Sequence, residues 1–179
     1  MKKIVLILLV FIANNSYAQK EMTTTRGLLN FEASVPLFEE VAATNKSVSC
    51  ALNIKTGSLK SVVQMKEFRF KLSLMEEHFN KKYLESDQYP NAYFKGTIEG
   101  FNWNIIGNSP KEFNLKGELK IHGKSRKVNT IVLIKKIENS LEIVSELTIN
   151  IKDFNIEIPE MLSMKVAEKV NIRSNFLLK

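Results

Sequence analysis

The sequence predicts an all-β protein whose antiparallel strands form either a sandwich or a closed barrel. Apolar residues recur at every second position through most of the chain, which is the period of a strand with one buried face. Turn-forming residues separate these runs, and only two segments break the period. Many half-buried antiparallel strands are typical of both architectures, and closure has the merit of removing exposed strand edges.

The alternating runs predict about eight to ten strands. Early runs place Leu29, Phe31 and Ala33, and later Phe68 and Phe70, on buried faces. Three further runs follow in the second half of the chain: Leu115–Ile121, Leu141–Ile151 and Val170–Leu178. The turns between strands are predicted from clusters of Gly, Pro, Asn and Ser at Lys55–Ser58, Asn108–Pro110, His122–Ser125 and Asn139–Ser140.

The first segment outside this period, Pro36–Thr44, predicts a short helix. Its proline lies near the start, and Glu39 and Glu40 lie in the first turn, where carboxylates are favourable. Its apolar residues, Leu37, Phe38, Val41 and Ala42, fall on one side.

The second such segment predicts a helix of about two to three turns that starts at Ser73. Ser73 and Glu76 have the spacing of a capping box, and Glu77 and Lys81 can form an ion pair one turn apart. Tyr89–Pro90 then forces an extended chain. The apolar stripe of this helix has two interpretations, a lid across a barrel end or a plug that fills the core; its residues are Met75, Phe79 and Tyr83.

The N-terminus has the pattern of a secretory signal peptide, residues 1–18. A basic head precedes the apolar run Ile4–Ala13, and small residues lead to an expected cleavage after Ala18. The run has about half of the roughly 20 residues that a membrane-spanning helix needs. We therefore expect export to the periplasm or beyond it, followed by one domain over residues 19–179.

Cysteine content and charge exclude several function classes. Cys50 is the only cysteine, so no intramolecular disulfide can form, and its alternating run predicts a buried thiol. The full chain carries a formal charge of +7, without the clustered cations and stacking aromatics of a nucleic-acid partner. The basic residues from Lys124 to Lys136 fit either a solvated strand face or a weak contact with an anionic membrane surface.

No residue pattern predicts catalysis or a metal site. Neither His78 nor His122 lies in a nucleophile, metalloprotease or phosphate-loop motif. Glu76, Glu77 and His78 are adjacent on a helix, so their side chains diverge rather than converge on an ion. We expect no enzyme, no metal and no cofactor.

Two stretches carry a family resemblance: FNKKYLESDQYPNAYF at Phe79–Phe94 and GELKIHGKSRKV at Gly117–Val128. They resemble the signature segments of the YceI-like family of exported lipid-binding proteins, and matching segments run from about Thr23 to the C-terminus. The resemblance implies an antiparallel eight-stranded lipocalin-like barrel with one or two short helices. It also implies a carrier that holds an isoprenoid, quinone-like or fatty-acyl lipid in an apolar tunnel.

Carried onto this sequence, the family landmarks are fold positions: Tyr89, Pro90, Phe94, Leu119, Ile121, Gly123 and Lys127. The chain departs from the family pattern at Ser125, at Val128 and in the helix predicted after Pro36. The last departure is expected to alter the tunnel mouth or to fill part of the tunnel.

The predicted tunnel wall consists of large residues on the apolar faces of their strands: Phe31, Phe68, Phe70, Phe94, Leu119, Ile149 and Phe176. An eight-stranded barrel is just wide enough to be filled by side chains or to hold one small ligand. The alternative function is therefore an exported protein-interaction module with a filled core. A third, an envelope hydrolase, would require convergent polar groups at the barrel mouth.

Overall fold

The computed structural model describes residues 21–162 and 164–179, and these form a closed antiparallel barrel. The predicted signal peptide lies outside the described residues. The strands are β1 (Glu21–Ser34), β2 (Ala42–Asn53), β3 (Ser58–Gln64), β4 (Arg69–Phe70), β5 (Asn91–Ile98), β6 (Lys111–Ile121), β7 (Lys124–Ile137), β8 (Ser140–Asn150) and β9 (Val166–Leu178). One short helix, α1 (Ser73–His78), continues into a π-helical turn at Phe79–Tyr83.

Pairing between β1 and β2 makes this sheet a barrel rather than a sandwich. The order β1-β9-β8-β7-β6-β5-β3-β2 closes because β1 pairs with β2 from Glu21↔Asn53 to Glu32↔Ala42. The two-residue β4 adds only a short edge to β2. Eight strands therefore form the wall, as expected, and the four predicted turns separate successive elements.

One half of the barrel is filled. Its inward side chains are chiefly aliphatic and lie toward the C-terminal ends of β2, β5, β7 and β9. The largest and least exposed of them, each below 2% relative exposure, are Val48, Leu52, Ile98, Val132, Ile134, Leu141, Ile143 and Leu178. A loop containing Trp103 covers this end, where the Lys136 ammonium lies 4.3 Å from the Trp103 ring centroid and donates a hydrogen bond to the Trp103 carbonyl at 3.0 Å. This half supplies much of the hydrophobic core.

Four connections lie at the other end of the barrel. The loop between β1 and β2, the segment that contains α1, the hairpin turn between β6 and β7, and the chain between β8 and β9 all lie there. We call this end the mouth. Where β2 and β3 diverge near it, the buried Asn45 side chain donates to the Gln64 carbonyl at 2.9 Å and replaces a backbone hydrogen bond.

The prediction of a helix at Pro36–Thr44 is wrong. Residues 35–41 form a loop that begins with a turn, in which Phe38 N–H donates to the Val35 carbonyl at 3.2 Å. Leu37 has φ 72°, a left-handed conformation that no α-helix accommodates. The segment is too short for propensity alone to stabilise a helix, and strand pairing resumes at Ala42.

The second helix is present, but its predicted capping box is not. Leu72 is the N-cap residue, and the Glu76 carboxylate accepts the Phe70 backbone N–H at 3.2 Å instead. The Glu77–Lys81 ion pair is confirmed at 2.9 Å. No helix in the described parts of the chain has the length and apolar character that a bilayer crossing requires.

Cys50 is buried as predicted, and burial raises the pKa of its thiol from 9.0 to about 12. In the unfolded chain this thiol ionises near its ordinary pKa, so the unfolded state loses its proton first as pH rises. The stabilising effect of the neutral thiol is therefore complete below pH 9 and is lost between pH 9 and about 12.

We predict that the stability advantage of the wild-type protein over Cys50→Ala decreases above pH 9. The decrease should be about 1.4 kcal/mol per pH unit, because each pH unit favours the ionised unfolded chain. Urea unfolding of both proteins at pH 8 and pH 10.5 measures this difference. A constant difference at the two pH values would contradict a thiol that stays protonated in the folded state.

Candidate functional site

A cavity of about 500 Å³ occupies the mouth half of the barrel. Its wall comes from inward side chains of β1, β3 and β5–β9 and is closed on one side by α1 and the π-helical turn. This volume lies in the range of small-molecule binding sites. The barrel is therefore filled at one end and hollow at the other.

Small hydroxyl residues mark the floor where the filled half ends. On three neighbouring strands the first inward residue beyond the core is Thr130 in β7, Ser145 in β8 and Ser174 in β9. The Ser145 and Ser174 hydroxyls lie 2.7 Å apart and hydrogen-bond to each other. These side chains satisfy much of their polarity locally, and their small volume leaves the space above them open.

The cavity extends along the barrel axis. On β8 the inward positions from Ser145 to Ile149, followed by Ile151 just beyond the strand, all line it. Six residue steps at about 3.3 Å each span roughly 20 Å along the strand. The shape suits a long, narrow apolar chain better than a compact polar molecule.

Two glycines set the width of the cavity beside β5 and β6. Gly96 and Gly117 are direct cross-strand partners, and the Phe94 ring lies against both. A Cβ atom would come within 2.6 Å of the ring at Gly96 and within 2.7 Å at Gly117. Glycine at these positions lets Phe94 lie flat against the wall rather than project into the lumen.

Four phenylalanines attach the helical segment to the barrel at the mouth. The Phe79 ring stacks on Phe31 with centroids 5.5 Å apart, and it also contacts Phe68 and Phe70 at 5.5 and 5.1 Å. Such contacts are worth about 0.5–1.5 kcal/mol each beyond simple burial. The stripe of the helical segment therefore packs on the barrel and also forms part of the cavity wall.

Ionisable residues contact the cavity only near its mouth. They are three acidic or basic side chains, Glu39 in the turn after β1, His78 at the end of α1 and Lys165 just before β9, and the phenols of Tyr83 and Tyr93. The deeper wall is apolar apart from a few serine and threonine hydroxyls, such as Ser61. An amphipathic ligand would meet charge at one end of the site only. No group of three or more His, Cys, Asp or Glu side chains that could hold a metal ion occurs among residues 21–162 and 164–179.

All seven residues predicted for the tunnel wall line this cavity. Their contact with a ligand stays a prediction. Three of them, Phe31, Phe68 and Phe70, also belong to the phenylalanine cluster, so they hold the helical segment in place. Selection by size missed the small residues that create the space, although serine at an inward position of an alternating run was a visible signal.

Comparison with known proteins identifies the family. The model of the YceI-like domain matches residues 16–177. The chain belongs to the YceI-like domain family.

Three solved structures share this YceI-like fold. BcnA of Burkholderia cenocepacia has 20% identity and a TM-score of 0.71, over 86% of this chain and 96% of its own. A polyisoprenoid binding domain from Saccharophagus degradans, implicated in plant cell wall breakdown, has 12% identity and a TM-score of 0.77, over 89% and 97%. A YceI protein of Campylobacter jejuni has 14% identity and a TM-score of 0.55, over 74% and 81%. No curated protein sequence matched the chain.

The YceI-like signature residues around the β6–β7 hairpin hold the mouth together. His122 and Gly123, with φ of 49° and 73°, form the two-residue turn, and the Tyr89 ring packs against both. One ring nitrogen of His122 lies 2.8 Å from Glu85 Oε2 and the other 3.2 Å from the Phe154 carbonyl. The hairpin, the segment after the π-helical turn and the chain after β8 are thereby joined.

We predict that Gly117→Ala destabilises the protein by about 1–3 kcal/mol, because the added methyl group overpacks the Phe94 ring and the facing strand. Gly107→Ala is the matched control, since a Cβ at Gly107 meets no atom within 4 Å. Urea unfolding of the two variants checks the difference. Equal stability of the two variants would mean that the glycine pair does not limit the width of the barrel.

Proposed function

We propose that this protein is an exported carrier that holds an isoprenoid, quinone-like or fatty-acyl lipid in its barrel. The observation that carries the proposal is the cavity itself, which is apolar along its length and meets ionisable groups only at one end. The similar domain from Saccharophagus degradans, described as polyisoprenoid binding, supports the same ligand class.

The proposed mechanism is passive binding. An apolar tail that leaves water for the cavity gains about 0.8 kcal/mol for each buried CH₂ group. A polar headgroup stays at the mouth, where Glu39, His78 and Lys165 are available as hydrogen-bonding and charged partners. The length of the lumen selects the tail, and no covalent step or cofactor is required.

Export forms part of the proposal. The N-terminal pattern of residues 1–18 predicts a secreted or periplasmic protein, where an insoluble lipid needs a soluble carrier. Such a carrier acquires its ligand from a membrane, so a weak contact with the membrane surface belongs to the same proposal.

The alternative of an interaction module with a filled core predicts no continuous internal void. The cavity of about 500 Å³ counts against that alternative, since it leaves the mouth half of the barrel open. An envelope hydrolase would need a nucleophile or paired carboxylates beside the lumen, and the polar groups that line it are a few hydroxyls, Glu39, His78 and Lys165. Binding without chemistry fits the lining best.

Native mass spectrometry of the protein, purified from its source without detergent, tests the proposal directly. A discrete added mass of an acyl or isoprenoid compound, close to one per chain, is the expected result. A bare protein mass that persists after incubation with quinones and fatty acids would refute the carrier function.

We predict that Leu147→Trp reduces lipid loading because the larger side chain fills the middle of the lumen. Thr148→Trp is the matched control, since Thr148 is the next residue of β8 and its side chain faces solvent. Native mass spectrometry of both variants, loaded with the same lipid, should show loss only in the first. Equal loading of the two variants would place the ligand elsewhere.

We also predict that Phe70→Asp abolishes lipid retention. A carboxylate in the apolar wall either stays ionised and retains water, or takes up a proton at a cost in free energy. Both states weaken the binding of an apolar tail beside it. Phe70→Leu should retain the lipid, because it keeps the wall apolar. A folded Phe70→Asp protein, judged by circular dichroism, that still carries lipid would remove Phe70 from the binding site.

A further inference from the structure

Three connections at the mouth carry exposed apolar side chains. They are the β1–β2 turn, the start of α1 and the chain that leads into β9. We call these six residues the apolar rim: Leu37, Phe38, Leu72, Leu74, Met161 and Met164. Contact between water and so many apolar groups is unfavourable in free energy. Their concentration at one end of the barrel therefore indicates a binding surface for a partner.

Four of the six rim residues are more exposed than any other large apolar side chain in the described part of the chain. Leu37 is wholly exposed, and Met161, Met164 and Leu74 are 88%, 73% and 60% exposed. Leu37, Met161 and Met164 do not line the cavity, whereas Leu74 does. Their neighbours in sequence, Glu39, Leu162 and Lys165 among them, line the cavity, so the rim surrounds the opening through which a ligand passes.

Basic residues flank the rim. Lys71 precedes α1, and Lys124, Arg126 and Lys127 follow the hairpin turn of the β6–β7 connection at the same end. None of these side chains forms an ion pair with any carboxylate in the described part of the chain. Lys135 and Lys136, by contrast, lie at the filled end and are engaged by Glu142 and Trp103.

We propose that the apolar rim inserts into the surface of an anionic phospholipid bilayer, with the flanking cations on the headgroups. This inference rests on the proposed carrier function and names the partner from which the lipid is drawn. Apolar side chains enter the boundary between headgroups and acyl chains, and cations beside them bind the negative surface. Glu39 and Glu40, in the same turn as Leu37, limit the depth of insertion at that point.

This orientation places the cavity opening against the bilayer. The tail of a lipid then moves from the acyl region into the lumen past Leu72 and Leu74, which belong to both the rim and the cavity wall. The tail meets no continuous layer of water on the way. The rim thus links the surface of the membrane to the interior of the barrel.

Vesicle flotation tests the docking surface. The probes are vesicles of phosphatidylethanolamine with phosphatidylglycerol, and matched vesicles in which phosphatidylcholine replaces phosphatidylglycerol. The rim variants are Leu37→Glu, Met161→Glu and the triple variant with Met164→Glu, none of which alters a residue that lines the cavity. The matched controls are Ile131→Glu and Leu177→Glu, exposed apolar residues on the outer barrel wall away from the mouth.

Wild-type protein and both controls should float with the anionic vesicles. Each single rim substitution should weaken binding by about tenfold, and the triple variant should lose it, because each removes an inserted apolar group. Lys124→Glu combined with Lys127→Glu should weaken binding to the anionic vesicles only. Native mass spectrometry should show that the rim variants, loaded beforehand, keep their lipid.

Rim variants that bind vesicles like the wild type would overturn the inference, and so would a wild-type protein that binds neither vesicle. Equal losses in the rim variants and the controls would mean that any exposed apolar residue suffices, which also overturns it. If light scattering shows a wild-type dimer that the rim variants dissociate, and vesicle binding is unaffected, the rim joins two copies of the chain instead. Failure of the carrier function is separate, because it appears as an absent ligand in the mass spectrum while flotation is still measurable.

Discussion

Closure of eight strands fixes the bore of this barrel, and the rest of the structure depends on how inward side chains fill it. At this strand number the interior is close to the volume that ordinary side chains occupy. Large aliphatic residues therefore fill one half completely, as around Leu52 and Ile134. Small residues at the floor of the other half, Thr130, Ser145 and Ser174, leave a cavity above them. Side-chain volume at inward positions thus decides where the molecule is solid and where it is hollow.

Polarity along the barrel follows the same axis. The filled end is aliphatic, the floor of the cavity has paired hydroxyls, and ionisable groups contact the lumen only at the mouth. The cost of burying charge explains this order, because a charged side chain in the lumen would keep water there. The apolar rim and the flanking cations continue the gradient outward.

Strand content and turns were predictable from the sequence because alternation and turn chemistry are local signals. The same pattern left a sandwich and a barrel open, and only the family resemblance implied closure. The helix after Pro36 was wrong because Ala42 pairs with Glu32 across a short connection in which Leu37 is left-handed, so strand pairing overrode a weak local pattern. The predicted wall residues were chosen for size, so Phe94 was found while its supporting glycines, Gly96 and Gly117, were not. The extent of the cavity depends on which residues meet across the barrel, and a single strand pattern does not contain that information.

The barrel has a solid half and a hollow half, and this separation allows the length of the lumen to change during evolution. The most deeply buried residues of the filled half, from Val48 to Leu178, do not line the lumen, so this part of the core does not depend on the residues of the floor. Exchange of Ser145 or Ser174 for a larger residue raises the floor, and a smaller residue in the layer below lowers it. One ring of side chains then sets the length of the lumen. Descendants of a single ancestral barrel can therefore adapt to lipid tails of different length while the strands and the core stay the same.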